Sequence, residues 1–182
     1  MSRKVVLYIA ASLDGYIARA NGAVDWLSGH GDQPPTEDVD SENGYEQFYQ
    51  TIDTVIMGRT TYEQIIHELS PDAWAYQGKK SYVATTTPHE PDEHVTFINE
   101  DIPEFVKQLK LQPGQDIWLV GGGKLIEIFM EHHLIDTYVI TMIPTILGDG
   151  IPLFLGQHAE TKLRLQQTRT VDGMVELTYV TR

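Results

Sequence analysis

Trp118-Leu119-Val120-Gly121-Gly122-Gly123-Lys124-Leu125 reads as a buried strand that runs into three glycines and then opens a helix, continued at helical spacing by Ile128 and Phe129. Glycines at such a turn let backbone amides approach a phosphate closely, and the start of the helix adds partial positive charge aimed at the same point. The segment does not fit G-x-G-x-x-G, because Ile126 holds the third glycine position, and it lacks the G-K-[ST] ending of a P-loop. A plain tight turn would use the same glycines. The pattern recurs upstream in Val55-Ile56-Met57-Gly58-Arg59-Thr60-Thr61-Tyr62, where Thr60 or Thr61 can cap a helix and Arg59 offers a forked donor set suited to phosphate. Arg59 could equally be a surface cation paired with Glu63, one helical turn on. Two strand–glycine–helix elements, each with a cation beside its turn, point to a dinucleotide held at the strands' carboxyl edge. Nearer the start, residues 10–18 leave a strand through Ala10, Ala11 and Ser12 and turn at Asp14-Gly15. Small side chains there permit a flat ring to lie against the strand end, or the segment is only a turn.

Around these segments, short β-branched and aromatic runs at 5–10, 54–57, 81–84, 95–98, 117–120, 138–142 and 175–180 predict strands. Helical spacing links Tyr45, Phe48 and Tyr49; Tyr62, Ile65, Ile66 and Leu69; and Phe105, Val106 and Leu109. Strand alternating with helix predicts an α/β fold with a mostly parallel sheet, because parallel neighbours need crossover connections. The last third departs from this: 163–170 and 174–181 flank Val171-Asp172-Gly173, the signal of an antiparallel hairpin, so the sheet should be mixed. Three stretches read as irregular: 28–41, which is either a surface insertion or a lid, 71–79 with Trp74 and Tyr76, and 144–152. No linker or composition break divides the chain, so residues 1–182 form one predicted domain.

The chain has 13 basic and 26 acidic residues, a net charge of −13, which opposes non-specific attraction to nucleic acid or anionic lipid. No apolar run approaches the roughly 20 residues that span a bilayer, and Met1-Ser2-Arg3-Lys4-Val5 leads straight into a strand, so a cytoplasmic protein is expected. The absence of cysteine removes thiolate nucleophiles and Cys-based metal sites. No metal site is expected from the histidines either: they lack H-E-x-x-H spacing, and His132-His133 suits the end of a helix, where it complements the dipole.

Together these segments resemble the dihydrofolate reductase-like superfamily, which includes the dihydrofolate reductases and the reductase domain of riboflavin biosynthesis, over nearly the whole chain. Met57-Gly58-Arg59 followed by Thr60-Thr61-Tyr62 resembles the segment that holds NADPH phosphates, and Val120-Gly121-Gly122-Gly123, with Glu127 and Phe129, resembles the second glycine segment. Ser12-Leu13-Asp14-Gly15 with Trp26, and Pro144 followed by residues 147–154, look more like the riboflavin-type branch. The resemblance implies an eight-stranded, mainly parallel sheet flanked by helices, with an antiparallel C-terminal hairpin and NADPH bound across strand ends. It places Arg59, Thr86 and Lys124 around the adenosine 2′-phosphate, Thr60 and Thr61 at the pyrophosphate, Gly121, Gly122 and Gly123 on the nicotinamide side, and Ala10 and Ala11 beside the nicotinamide ring. Gly15, Gly58, Thr85 and Leu125 complete the cofactor-binding positions it implies.

For the substrate, dihydrofolate reductases use a carboxylate on the helix before the Met-Gly-Arg strand; an ungapped count from Gly58 gives Glu42, and one turn of slippage gives Glu46. Asp14 is the third carboxylate considered for catalysis. Lys79 stands where a folate enzyme carries a carboxylate-clamping Arg, and its ammonium cannot form that fork. The riboflavin branch would call for Arg-rich phosphate-gripping segments, yet no Arg occurs between Trp26 and Arg59. The expected activity is therefore NADPH-dependent hydride transfer to a small pteridine- or pyrimidine-type heterocycle. Alternatives are the 5-amino-6-(5-phosphoribosylamino)uracil reductase of riboflavin biosynthesis, a non-catalytic NADP-binding protein and a structural interaction domain. A homodimer is expected, since riboflavin-type relatives often associate and the C-terminal strands offer an edge.

Overall fold

The computed structural model describes residues 2–28, 44–156 and 158–182. The described chain runs β1 (Val5–Ser12), β2 (Tyr16–Ala18), a 3₁₀ turn (Asp25–Leu27), α1 (Gly44–Thr51), β3 (Ile52–Gly58), α2 (Arg59–Gln64), β4 (Lys80–Ala84) and β5 (Thr96–Ile98). It continues with α3 (Ile102–Leu111), β6 (Asp116–Gly121), α4 (Gly123–Glu131), β7 (Thr137–Ile143), β8 (Ile151–Pro152), β9 (Leu163–Val171) and β10 (Met174–Thr181). Eight strands form one sheet in the order β5-β4-β3-β6-β1-β7-β10-β9, parallel from β5 to β7 and antiparallel where β10 meets β7 and β9. All eight coincide with stretches whose strand character is visible in the sequence. The central ones are buried on both faces, so their apolar runs are nearly continuous rather than alternating.

The pleat divides the core. Leu7, Ile56, Ile117 and Leu119 face Val106 and Leu109 of α3 and Ile126 and Phe129 of α4. Val55, Met57 and Trp118 face the other way, toward Tyr62 and Ile65, with Phe48 and Tyr49 of α1 packed on them. The irregular stretch expected at 71–79 sends Trp74 and Tyr76 into this second layer. Helix α2 loosens into a π-turn at Ile65–Leu69. The hairpin closes through Asp172 and Gly173, both at positive φ, the twist that a two-residue turn between right-twisted strands requires.

One feature corrects the sequence reading and another adds to it. Residues 144–152, expected to be irregular, contain β8, which pairs antiparallel with β2. These strands are too short for any period to show, and the pairing brings backbones so close that a Cβ on Gly150 would lie 2.3 Å from the Ala18 carbonyl oxygen. Arg3, to which the sequence reading assigned no role, is buried: it pairs with Asp53 and donates to Thr54 Oγ1 at 2.6 Å and to the Gln115 carbonyl at 2.5 Å. This cluster ties the amino ends of β1, β3 and β6 together, at the sheet edge opposite the glycine turns. Among the described residues no helix is long and apolar enough to cross a membrane.

Candidate functional site

The parallel strands bring both glycine turns to one edge. Met57 of β3 lies in register with Gly121 of β6, so the two neighbouring strands end together. A Cβ on Gly58 would stand 3.8 Å from the Gly121 carbonyl oxygen and 3.9 Å from the Gly122 nitrogen, which puts one turn directly against the other. Gly121 has φ 128°, a conformation that side-chain-bearing residues rarely adopt, and the Gly121-Gly122 peptide is cis. Gly58 and Gly122 are the N-caps of α2 and α4, and neither helix receives a side-chain cap hydrogen bond. Helix α3 differs: the Asp101 carboxylate accepts from the Glu104 amide at 2.9 Å. The two uncapped starts therefore turn first-turn amides and positive dipole ends toward the same edge.

The other expected cofactor positions fall around this pair. Arg59 is exposed, donates to Glu63 at 2.7 Å and reaches the Thr87 hydroxyl at 2.9 Å, so the pairing considered from sequence coexists with a guanidinium spanning from α2 to the segment after β4. Thr85 is buried, its amide donating to the Ile98 carbonyl and its hydroxyl to the Thr87 carbonyl, while Thr86 next to it is exposed. Thr60 is exposed; the Thr61 hydroxyl lies 3.3 Å from where a Gly122 Cβ would be. Lys124 is exposed on the first turn of α4, and Leu125 and Gly123 are buried beneath it. Ala11 is buried in the α4 layer, whereas Ala10, one residue earlier, shares the opposite face with Tyr8.

The candidate carboxylates separate. Asp14 accepts from the Ser12 hydroxyl at 2.6 Å and from the Leu147 and Gly148 amides at 3.1 and 2.7 Å. These donors, the Ser12 hydroxyl foremost, hold its pKa below the ordinary carboxylate value, so it remains ionised and latches the loop before β8 to the turn after β1. Gly15, at φ 88°, strengthens that latch by accepting from the Leu153 amide at 2.9 Å. Glu46 is exposed on α1. Glu42, and nearly all of the 28–41 stretch, lie outside the described residues. Lys79 donates to the Tyr49 and Ile52 carbonyls at 2.9 and 2.7 Å and sits over the Tyr49 ring, so it fastens the end of α1 rather than clamping a ligand.

A second cluster was not visible from sequence. On the face covered by α1, the Tyr8 hydroxyl donates to Glu176 Oε2 at 2.6 Å. Burial first, then the Glu176 carboxylate, drive the Tyr8 phenol far above its ordinary pKa, so it stays a proton-bearing donor. Tyr8 stacks on Phe48 at 4.5 Å between centroids and meets Trp118 edge-on. Beside it runs a groove of about 300 Å³ whose walls include Tyr8, Gly44, Gln47, Arg169 and Glu176. A second depression, of about 350 Å³, between the start of α3 and the end of α4 lies away from both glycine turns. The only sequence signal for the cluster was a phenol in an otherwise aliphatic strand.

The family model for the RibD C-terminal domain matches residues 3–177. This chain belongs to the RibD C-terminal domain family. Proteins similar to it include the uncharacterized proteins YwjB and YyaP of Bacillus subtilis (strain 168). YwjB is 49% identical, with 99% of each chain covered. YyaP is 35% identical, covering 97% of this chain and 94% of its own. Among solved structures, a Shewanella sp. PV-4 protein provisionally assigned to riboflavin biosynthesis is 27% identical, with TM-score 0.81 over 100% of this chain and 99% of the other. Dihydrofolate reductase from Enterococcus faecalis, solved with NADP(H), is 15% identical, with TM-score 0.60 over 98% and 96% of the two chains. The latter shows a shared fold: a dihydrofolate reductase-like sheet with an antiparallel C-terminal pair.

Proposed function

We propose that this member of the RibD C-terminal domain family is an NADPH-dependent reductase that delivers hydride to a small pteridine- or pyrimidine-type heterocycle. The observation that carries the proposal is the contact between the Gly58 and Gly121-Gly122 turns, where two adjacent parallel strands end and two helices without side-chain caps begin. That surface fits a pyrophosphate: it is main chain, lacks side-chain bulk and presents amides and two positive helix ends. Arg59 and Lys124, beside the two turns, suit a 2′-phosphate, and Thr60 and Thr61 supply hydroxyls between them. When bound, the dihydronicotinamide supplies the hydride. The chain's part is alignment: Ala10 at the strand end leaves room for a flat ring on the α1 face, and the Asp14 latch fixes the loop bordering that strand end.

The riboflavin-pathway reading, reduction of a ribosylaminopyrimidine, draws support from the family itself and is distinguished by its phosphorylated substrate. The test is titration of the protein with NADPH and separately NADH, following fluorescence of Trp26, Trp74 and Trp118. Saturable NADPH binding that is at least about tenfold tighter than NADH is expected, the worth of one charge-assisted contact. Absence of saturable binding by either nucleotide removes the reductase reading, and binding without turnover of pterins, dihydrofolate or ribosylaminopyrimidines leaves a nucleotide-binding protein.

A further inference from the structure

We propose that the face of β9 and β10 turned away from α1 is the surface on which a second copy of this chain docks, face against face. The proposal stands apart from the reductase reading, and the surface lies on the opposite side of the sheet from the Tyr8–Glu176 cluster.

Register provides the first argument. Two rows of directly paired residues, Ala11–Met142–Val175 and Leu7–Tyr138–Tyr179–Leu165, lead from the core out to this surface. Residues so paired share a face, here the one packed by α3 and α4. Cover is lost along both rows: Ala11, Leu7 and Tyr138 are buried, whereas Val175 is 39% and Leu165 51% exposed. Leu177 lies between the rows on the same face, and no residue of β9 or β10 is buried. The apolar face of the sheet thus extends two strands beyond its own cover.

The outer edge of β9 is a poorer docking site. Thr178 pairs with Gln167 and Tyr179 with Leu165, so Gln166 bulges out of the ladder, and Arg164 and Arg169 stand on the same strand. Bulges and charges of this kind keep an edge from adding another strand. The face lacks such guards: Thr168 and Thr170 continue it beside Leu165, and none of its side chains is charged. The C-terminal strands therefore offer a face rather than the edge expected from sequence.

Charge selects a second copy as the occupant. Residues 162–182 hold four basic and two acidic side chains, a net of +2, while residues 1–161 hold nine basic and 24 acidic, a net of −15. Two such chains repel wherever their acidic surfaces meet, but ribbon against ribbon joins uncharged faces backed by a net-positive segment. Each copy brings the same face, so a twofold arrangement satisfies both. A two-stranded face about eight residues long measures roughly 27 Å by 10 Å, and two of them with their flanks bury on the order of 1,000 Å², the size of a weak specific interface. Association in the micromolar range is expected.

Sedimentation velocity of the full chain from about 1 to about 200 µM tests this. Wild type should pass from monomer to dimer across that range, and more completely at about 0.5 M than at about 0.05 M salt, because screening relieves the −13 charge of each copy while the apolar contact is kept. Leu165→Glu and Val175→Glu, which carry a charge into the apolar contact on both copies, should each weaken association about tenfold or more. Gln167→Glu places the same charge on the opposite face of β9 and should leave association unchanged. Leu165→Thr, matching the neighbouring Thr168 and Thr170, should weaken it several-fold and keeps the test open should a Glu variant not fold. A wild type that stays monomeric throughout the range, a dimer that dissociates as salt rises, a dimer indifferent to the Leu165 and Val175 variants, or an equal loss in Gln167→Glu overturns the proposal.

Discussion

At the β3–β6 edge the surface proposed for the nucleotide is main chain: two glycine turns in contact, two helix starts without side-chain caps, and cations at the margin. Under α1, on β1, β7, β10 and β9, the surface is side chain: a phenol, a carboxylate and a guanidinium set by strand register. A backbone surface recognises what dinucleotides share and tolerates little bulk. A side-chain surface can be rewritten residue by residue, so the two regions should respond independently to mutation.

The largest expected effect is that of Gly122→Asp. Asp is a favoured N-cap, and position 122 already has N-cap geometry, so helix α4 should be retained or strengthened. The same carboxylate would face the pyrophosphate of the proposed nucleotide, and NADPH affinity should fall on the order of 100-fold while the melting temperature holds. A matching fall in melting temperature would break the comparison. Next, Tyr8→Phe keeps the ring stacked on Phe48 but releases Glu176; the melting temperature should fall by several degrees with NADPH quenching unchanged, the worth of a hydrogen bond to a charged group. Arg59→Ala should cost NADPH several-fold to about tenfold and NADH almost nothing, with little change in melting because its pairing with Glu63 is exposed. Smallest is the Asp14 latch. Its folded pKa lies below the ordinary 3.8, so its contribution is complete above that value and fades as pH falls through the lower, folded one. Protection of the Gly148 amide, taken relative to its intrinsic exchange rate, should decline as pH falls below about 3.8 in the wild type, and Asp14→Asn should be less protected already at neutral pH with a flatter acid dependence.

The halves also differ in how far they were legible in the sequence. Gly58 and residues 121–123 announce themselves because each turn is local: strand, glycine and helix lie within eight residues of sequence. The same locality makes the eight main strands and the Asp172-Gly173 hairpin readable. Tyr8 and Glu176 are 168 residues apart, and only the pairing of β1, β7 and β10 unites them; a single acid in a strand otherwise reads as solvated. The buried Arg3 escaped for the same reason, since its partners Asp53 and Thr54 and the Gln115 carbonyl lie on other strands or turns. β2 and β8 escaped because two or three residues carry no period. Residue type can suggest a donor or an acceptor, but the fold decides which of them share a groove.

The position of β6 has a consequence for assembly. β1 and β3, the first long strands of the chain, do not pair with each other; each pairs with β6, which arrives more than fifty residues after β3. The sheet is thus completed by inserting one late strand between two early ones, an arrangement of high contact order that favours slow folding. That same strand ends in Gly121. A nucleotide bound at the Gly121–Gly123 turn, as proposed, would hold the keystone of the sheet, so ligand binding and resistance to unfolding should rise together, and the protein without nucleotide should be the one most exposed to proteolysis.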